Sequence, residues 1–162
     1  MPEYILAIDP GNEYSAYALI KADDYTPVQF EKLPNDKMRT YLRAHLQLCN
    51  HTELVIEKVA CYGMPVGAEV LETCLESGRF VQIAADQHVE AHRVFRATVK
   101  TMLCGTPRAK DSNVIQALKD RFGEKGTKKN PGWFYGFKAD CWQAYALGVA
   151  WLDENTADSK KT

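Results

Sequence analysis

The chain has 162 residues, of which 46% are apolar and 25% are charged. This length fits one domain, and this composition is that of an ordinary globular domain rather than a disordered chain, a collagen or a coiled coil. The 20 Lys and Arg residues against 21 Asp and Glu residues give a formal net charge of -1, which taken alone argues against a nucleic-acid-binding protein.

Apolar runs and cysteines indicate the compartment. The longest apolar runs are far shorter than the roughly 18 residues of a membrane span, and no basic segment precedes an apolar stretch at the N-terminus. Five cysteines at irregular spacings, without a CxxC pair, are typical of reduced thiols rather than of a disulfide framework or a zinc site. We therefore expect a cytoplasmic protein with no membrane partner.

Hydrophobic patterning predicts strands and helices in a mixed order. The predicted strands are residues 4–9, 15–20, 27–33, 53–57 and 89–95, and a Pro10-Gly11-Asn12 turn joins the first two. The predicted helices are a stretch that begins at Pro34, residues 66–85, a stretch that follows Asp111, and residues 138–152. The order predicts one α/β domain over residues 1–152, with an antiparallel N-terminal hairpin and flanking helices. The polar tail over residues 153–162 is expected to fray.

Three acids stand where they could act together. Asp9 ends the first strand, Glu57 ends the fourth, and Asp140 is predicted one turn inside the last helix. Strand ends of α/β sheets meet at one edge, so a helix across that edge could bring Asp140 to the other two. Clustered carboxylates repel each other unless a cation neutralises them, and oxygen ligands of this kind suit Mg²⁺ or Mn²⁺. The pattern therefore predicts metal-assisted phosphodiester hydrolysis.

Four segments in order resemble the RuvC family of Holliday-junction resolvases. They are IDPGNEYSAYALI, VIEKVACYG, FRATVKTMLCGTPRAKDSNVIQAL and FKADCWQAYALGVA. The resemblance covers residues 4–152 and implies the RNase H-like fold, with a central mixed five-stranded sheet. The segments LCGTPRAKD and GTKKNPG resemble a phage or prophage member of the family more than a housekeeping member. The protein is then expected in a bacterial or phage-infected cell, in DNA recombination and repair.

The resemblance also implies residue roles. Asp9, Glu57 and Asp140 match three metal-binding acids of the family, and Lys100 and Lys110 match two lysines used near the scissile phosphate. The implied enzyme is a crossover-junction endodeoxyribonuclease. It would use Mg²⁺, with Mn²⁺ as a substitute, and would need no nucleotide cofactor. It would act as a homodimer that makes paired symmetric nicks in a four-way junction, with the helix at residues 66–85 as the dimer element.

Two positions depart from the family pattern. The fourth acid of the family is replaced by Gln143, whose amide oxygen can bind Mg²⁺ or a bound water but carries no charge. Asp140 and Gln143 are spaced i, i+3 and are expected to share a helix face. The aromatic residue that the family places three positions after its second acid is replaced by Ala60. Tyr62 could take over stacking on bases, or could be an ordinary loop aromatic.

The charge is unevenly distributed along the chain. Residues 93–129 contain ten Lys and Arg residues against three acids, so the segment carries +7 and the remainder -8. The segment could be a solvated face, but the stretch from Arg93 to Lys110 has no acid, and a DNA-binding surface is the preferred interpretation. The candidate phosphate-binding residues are Arg93, Arg96, Arg108, Lys125, Lys128 and Lys129. Trp133, Phe134 and Tyr135 could stack on DNA, but such a cluster is more typical of a core.

Three other functions remain open. The first is a nuclease for branched DNA in general, cutting flaps, forks and three-way junctions, which Gln143 and Ala60 would accommodate. The second is a junction-binding protein that does not cleave, which the missing fourth acid permits. The third, an actin-like or sugar-kinase ATPase, is disfavoured because such folds duplicate the domain and need about twice this length.

Overall fold

The chain folds around a mixed five-stranded sheet. The structure is a computed structural model that describes residues 2–159, with side chains described to residue 156. In chain order the strands are β1 (Tyr4–Asp9), β2 (Tyr14–Lys21), β3 (Pro27–Pro34), β4 (Thr52–Lys58) and β5 (Ala91–Phe95). Their order across the sheet is β3-β2-β1-β4-β5. The first three strands pair antiparallel, and β4 and β5 continue the sheet parallel to β1. The predicted mixed sheet and its N-terminal hairpin are therefore confirmed.

Helices cover both faces of this sheet. They are α1 (Asn35–Leu48), α2 (Ala68–Asp86), α3 (Arg96–Cys104), α4 (Asp111–Phe122) and α5 (Cys141–Ser159). Because side chains alternate along a strand, Leu6 and Ile8 face a core built with α1 and α2, while Ile5 and Ala7 face a second core built with α3, α4 and α5. The central strand β1 is thus buried on both sides and holds its C-terminal end in a fixed place.

The helices differ from the sequence prediction at two places. Helix α3 was not predicted, because Val99 is its only buried residue and the helix depends on packing against α4 and α5. Helix α5 begins at Cys141, three residues later than predicted, and continues through Ser159 into the segment predicted to fray. Asp153 explains the extension, since its carboxylate accepts hydrogen bonds from Arg121 and from the Tyr25 hydroxyl. The last predicted tail residues, 160–162, lie outside the described residues.

No helix in the described part of the chain is long and apolar enough to cross a membrane. All five cysteines are free thiols.

Candidate active site

Two of the predicted acids meet at one edge of the sheet. Strands β1 and β4 run parallel and are in register from Tyr4 and Thr52 to Ile8 and Ile56. Asp9 and Glu57 each follow the last pair of this ladder, so their side chains leave the sheet at the same edge. Asp9 is 8% exposed, because the apolar strand that carries it is central in the fold.

The turn after Asp9 is held by buried polar groups. The Asn35 side chain donates to the Gly11 carbonyl at 2.8 Å and accepts from the Ser15 hydroxyl at 2.7 Å, and the Gly11 amide donates to that hydroxyl at 3.1 Å. A Cβ atom on Gly11 would lie 2.1 Å from the Tyr14 carbonyl oxygen, so the turn requires glycine. The network fixes the backbone directly beyond Asp9.

Removing the Asn35 amide should therefore loosen this turn. We expect Asn35→Ala to lower the free energy of unfolding by about 1–3 kcal/mol, because the buried Ser15 hydroxyl and Gly11 carbonyl lose their partner. Urea unfolding followed by circular dichroism measures the change. Asn50→Ala, at an exposed turn position, is the control and should unfold as the wild type does. Equal unfolding free energies for Asn35→Ala and the wild type would contradict this role.

A guanidinium bridges the two buried acids. Arg96 is the first residue of α3 and follows β5, which pairs with β4 up to the contact of Lys58 with Phe95. Its Nε lies 3.1 Å from Glu57 Oε2 and its Nη2 lies 3.3 Å from Asp9 Oδ1. Arg96 was predicted to bind DNA, but in this structure it is the counter-ion of the two acids.

Burial is the main cause that raises the pKa values of both acids. Desolvation and then the charge of Glu57 raise the pKa of Asp9 to about 8, and the Arg96 charge only partly opposes this. Desolvation likewise raises the pKa of Glu57, again against Arg96. In the metal-free protein both shifts favour the protonated carboxyl groups, and a bound divalent cation would favour the ionised forms.

The third predicted acid lies nearby but is turned elsewhere. Asp140 precedes α5 instead of sitting a turn inside it, and its backbone carbonyl accepts from the Ala144 amide at 3.0 Å. The carboxylate contacts Lys32 Nζ at 2.6 Å and is half-exposed, yet its charge contributes to the raised pKa of Asp9. Among the side chains that the structure describes, which end at residue 156, no group of three or more His, Cys, Asp or Glu residues is close enough to hold a metal ion. The expected convergence of three acids is thus only a convergence of Asp9 and Glu57.

The position of the missing fourth acid is buried. Gln143 lies in the first turn of α5 at 9% exposure, and within the described residues its side chain has no hydrogen-bond partner. Asp140 and Gln143 therefore differ in environment, because Asp140 is half-exposed and pairs with Lys32 of β3, while Gln143 is buried.

The two predicted lysines differ in placement. Lys100 is largely buried in α3 and pairs with Asp111 at 3.3 Å, and its charge lowers the pKa of Glu57. Lys110 directly precedes α4 and is exposed. Asp111, the first residue of α4, was not predicted as a site residue, but its charge raises the pKa values of both Asp9 and Glu57. No local sequence signal indicates this effect, because it depends on the packing of α4 against α3.

Two cavities flank Arg96. One of about 260 Å³ is lined by Asp9, Glu57, Tyr62 and Arg96, among others. The other, of about 320 Å³, is lined by Tyr62, Arg96, Ala97, Lys100 and Pro107. Tyr62 belongs to both and is 66% exposed, and its hydroxyl accepts a long hydrogen bond from the Ala97 amide at the start of α3. The tyrosine therefore lies at the mouth of the site, as an exposed aromatic ring beside the acids.

The remaining predicted DNA-binding residues are exposed cations on other segments. Arg93 lies on β5 and Arg108 on the loop before α4. The loop that follows α4 is a short hairpin closed by a bridge between Gly126 and Pro131, with Lys128 and Lys129 at its tip and Lys125 at its base. Trp133 and Phe134 pack in the core, as preferred from the sequence, while Tyr135 is partly exposed.

Comparison with solved structures identifies the fold. The structure of Thermus thermophilus RuvC matches 95% of this chain and 96% of its own at a TM-score of 0.67 and 15% identity. The complex of T. thermophilus RuvC with a Holliday junction substrate matches 91% of this chain and 92% of its own at a TM-score of 0.65 and 14% identity. No protein-family model and no curated protein matches this sequence. The chain thus has the RuvC-like form of the RNase H-like fold.

Proposed function

We propose that this chain with a RuvC-like fold is a metal-dependent, structure-specific endonuclease that resolves four-way DNA junctions. The observation that carries the proposal is the pair of carboxylates, the buried Asp9 and the largely buried Glu57, which follow two parallel strands at one edge of the sheet and lie beside two cavities. Two such acids with raised pKa values cost folding energy, and acids with perturbed pKa values of this kind are common in catalytic sites.

Asp9 and Glu57 supply the carboxylate oxygens that a hard divalent cation prefers as ligands. Asp9 and Glu57 both contact one guanidinium, so their oxygens already converge on a single cationic group. Asp140 would join them by leaving Lys32, and the buried amide of Gln143 offers a neutral oxygen. Mg²⁺ or Mn²⁺ would suit these oxygen ligands and would supply Lewis acidity and an activated water for phosphodiester hydrolysis.

Other residues of the chain would hold the DNA. Lys100 and Lys110 would neutralise the scissile phosphate, and Tyr62 would stack on a base opened at the junction. Phosphates further along the arms would meet the exposed cations Arg93, Arg108, Lys125, Lys128 and Lys129. Because such contacts release counterions, junction binding should weaken steeply with salt.

A homodimer would supply the two active sites that symmetric resolution needs. Helix α2 and the loop before it expose apolar side chains that the monomer leaves uncovered, including Val66, Leu71 and Leu75. Leu71 and Leu75 are four residues apart and share one helix face. Packing of α2 against a second copy would bury this face and would present one site to each of two opposing strands of the junction.

A second candidate is a nuclease of broader specificity for branched DNA. Gln143 carries no charge, and Asp140 is half-exposed and engaged with Lys32, so the metal ligands would be less rigid than in a site with four acids.

Substrate comparison distinguishes these functions. Equal concentrations of labelled four-way junction, three-way junction, flap, fork and linear duplex are incubated with the protein in Mg²⁺. We expect the four-way junction to be nicked at least about tenfold faster than the others, because only its symmetry matches two sites at once. Comparable rates on all branched substrates would favour the broader nuclease. Tight junction binding without nicks in Mg²⁺ or Mn²⁺ would indicate a binding protein.

A further inference from the structure

Arg96 occupies the position between Asp9 and Glu57, where a cation shared by the two carboxylates would bind. Its Nε and Nη2 contact the two carboxylates on one side of the guanidinium. A divalent ion bound by the same oxygens could not coexist with it, since two cations at contact distance repel strongly in a partly buried site. A metal bound by Asp9 Oδ1 and Glu57 Oε2 therefore requires Arg96 to move.

The structure offers Arg96 a place to move to. Arg96 is about one-third exposed and lines both cavities, the one that contains the acids and the one beside Lys100. A change of side-chain rotamer would carry the guanidinium away from the carboxylates without moving α3. In the second cavity it would join Lys100 and Tyr62, residues to which we assign contacts with DNA.

We propose that Arg96 is a displaceable counter-ion that neutralises Asp9 and Glu57 in the metal-free protein and is released by the divalent cation to contact a DNA phosphate. The inference rests on the proposed function, because it assumes the metal site at Asp9 and Glu57. In the metal-free protein Arg96 is a positioning residue that competes with the metal for Asp9 and Glu57. In the metal-bound protein Arg96 adds one positive charge to the DNA-binding surface.

The metal-free and metal-bound positions of Arg96 predict that one substitution will strengthen metal binding and weaken DNA binding. Arg96→Gln should bind Mn²⁺ at least about tenfold more tightly than the wild type in the absence of DNA, because no charge-assisted contact has to be broken. At saturating Ca²⁺ the same variant should bind a four-way junction several-fold more weakly, because the released charge is absent. A merely structural role for Arg96 would not tighten metal binding.

Isothermal titration with Mn²⁺ and junction binding by fluorescence anisotropy measure the two effects. Arg43→Gln removes an exposed charge from α1 and is the matched control, which should leave both affinities unchanged. Unchanged or weaker Mn²⁺ binding by Arg96→Gln would contradict the claim that Arg96 competes with the metal. Unchanged affinity of this variant for the junction would contradict the claim that Arg96 contacts a DNA phosphate.

Two further measurements separate this inference from the proposed function. Asp9→Asn should abolish Mn²⁺ binding at the site. If it binds Mn²⁺ as the wild type does, or if neither binds, the metal site fails and the inference fails with it. If only the Arg96→Gln result fails, the site stands and the counter-ion role is wrong.

Folding of the variant does not limit the test. In the wild type, the Nε–H nuclear magnetic resonance signal of Arg96, assigned by its loss in Arg96→Lys, should shift as Mg²⁺ saturates the site. A signal that stays in place at saturating Mg²⁺ would overturn the displacement.

Discussion

Asp9→Asn should reduce cleavage of a four-way junction in Mg²⁺ by about 1,000-fold or more. The substitution keeps the shape of the side chain but removes one of the two charges that converge at the sheet edge. Stabilisation of the developing charge by a bound divalent ion contributes several kcal/mol, and each 1.4 kcal/mol corresponds to about tenfold in rate. Single-turnover cleavage of a labelled junction measures the loss.

Junction binding by this variant should remain close to that of the wild type. The DNA would be held by cations and by Tyr62, none of which the substitution touches, and one fewer negative charge favours DNA slightly. Asp23→Asn, which changes an exposed acid beyond β2, is the control and should cleave normally. Cleavage by Asp9→Asn at the wild-type rate would show that the active site lies elsewhere.

Phe134→Ala should lower the free energy of unfolding by about 3–5 kcal/mol, the range for truncation of a large buried aromatic residue. The Phe134 ring is fully buried and packs against Phe137, Trp142 and Tyr145 at centroid distances of 4.7–5.3 Å. These rings join the loop after α4 to the start of α5, and Asp140 lies between them in sequence. The cavity left by the truncation would therefore also loosen the backbone at Asp140.

Chemical denaturation monitored by tryptophan fluorescence tests this expectation. Tyr135→Ala, at the neighbouring exposed position, is the matched control and should change the unfolding free energy by less than about 0.5 kcal/mol. A wild-type unfolding curve for Phe134→Ala, together with weaker DNA binding, would instead support a base-stacking role for this ring.

The sheet and the first two site residues could be predicted because their signals are local. The run from Tyr4 to Ile8 is apolar throughout, as a central strand buried on both faces requires, and it ends in an acid followed by Pro10 and Gly11. Glu57 follows a similar run in β4. Parallel pairing then places both acids at one edge, and this placement needs no further information.

Asp140 shows where local patterning fails. The apolar spacing predicts that the last helix begins at residue 138, but Ala139 has a positive φ of 37° and α5 begins only at Cys141. A left-handed residue without a glycine gives no sequence signal. The aromatic packing of Phe134 and Phe137 holds this turn instead.

The counter-ions of the site could not be predicted at all. Arg96 reaches Asp9 across 87 positions of the sequence, and Lys32 reaches Asp140 across 108. A basic segment was evident from the charge distribution, yet which of its ten cations would turn inward depends on the strand register of β5. The net charge of the segment therefore predicts a DNA-binding surface, while the fold determines that one of its arginines, Arg96, contacts Asp9 and Glu57.

The most direct test of the account is a single denaturing gel. A four-way junction labelled on each strand in turn, and a linear duplex of the same sequence, are incubated with the protein in Mg²⁺ or in EDTA. The account predicts paired nicks at symmetric positions of the junction in Mg²⁺, and no nicks in EDTA or on the linear duplex. Nicks that persist in EDTA, equal cleavage of the linear duplex, or no cleavage in either Mg²⁺ or Mn²⁺ would contradict it.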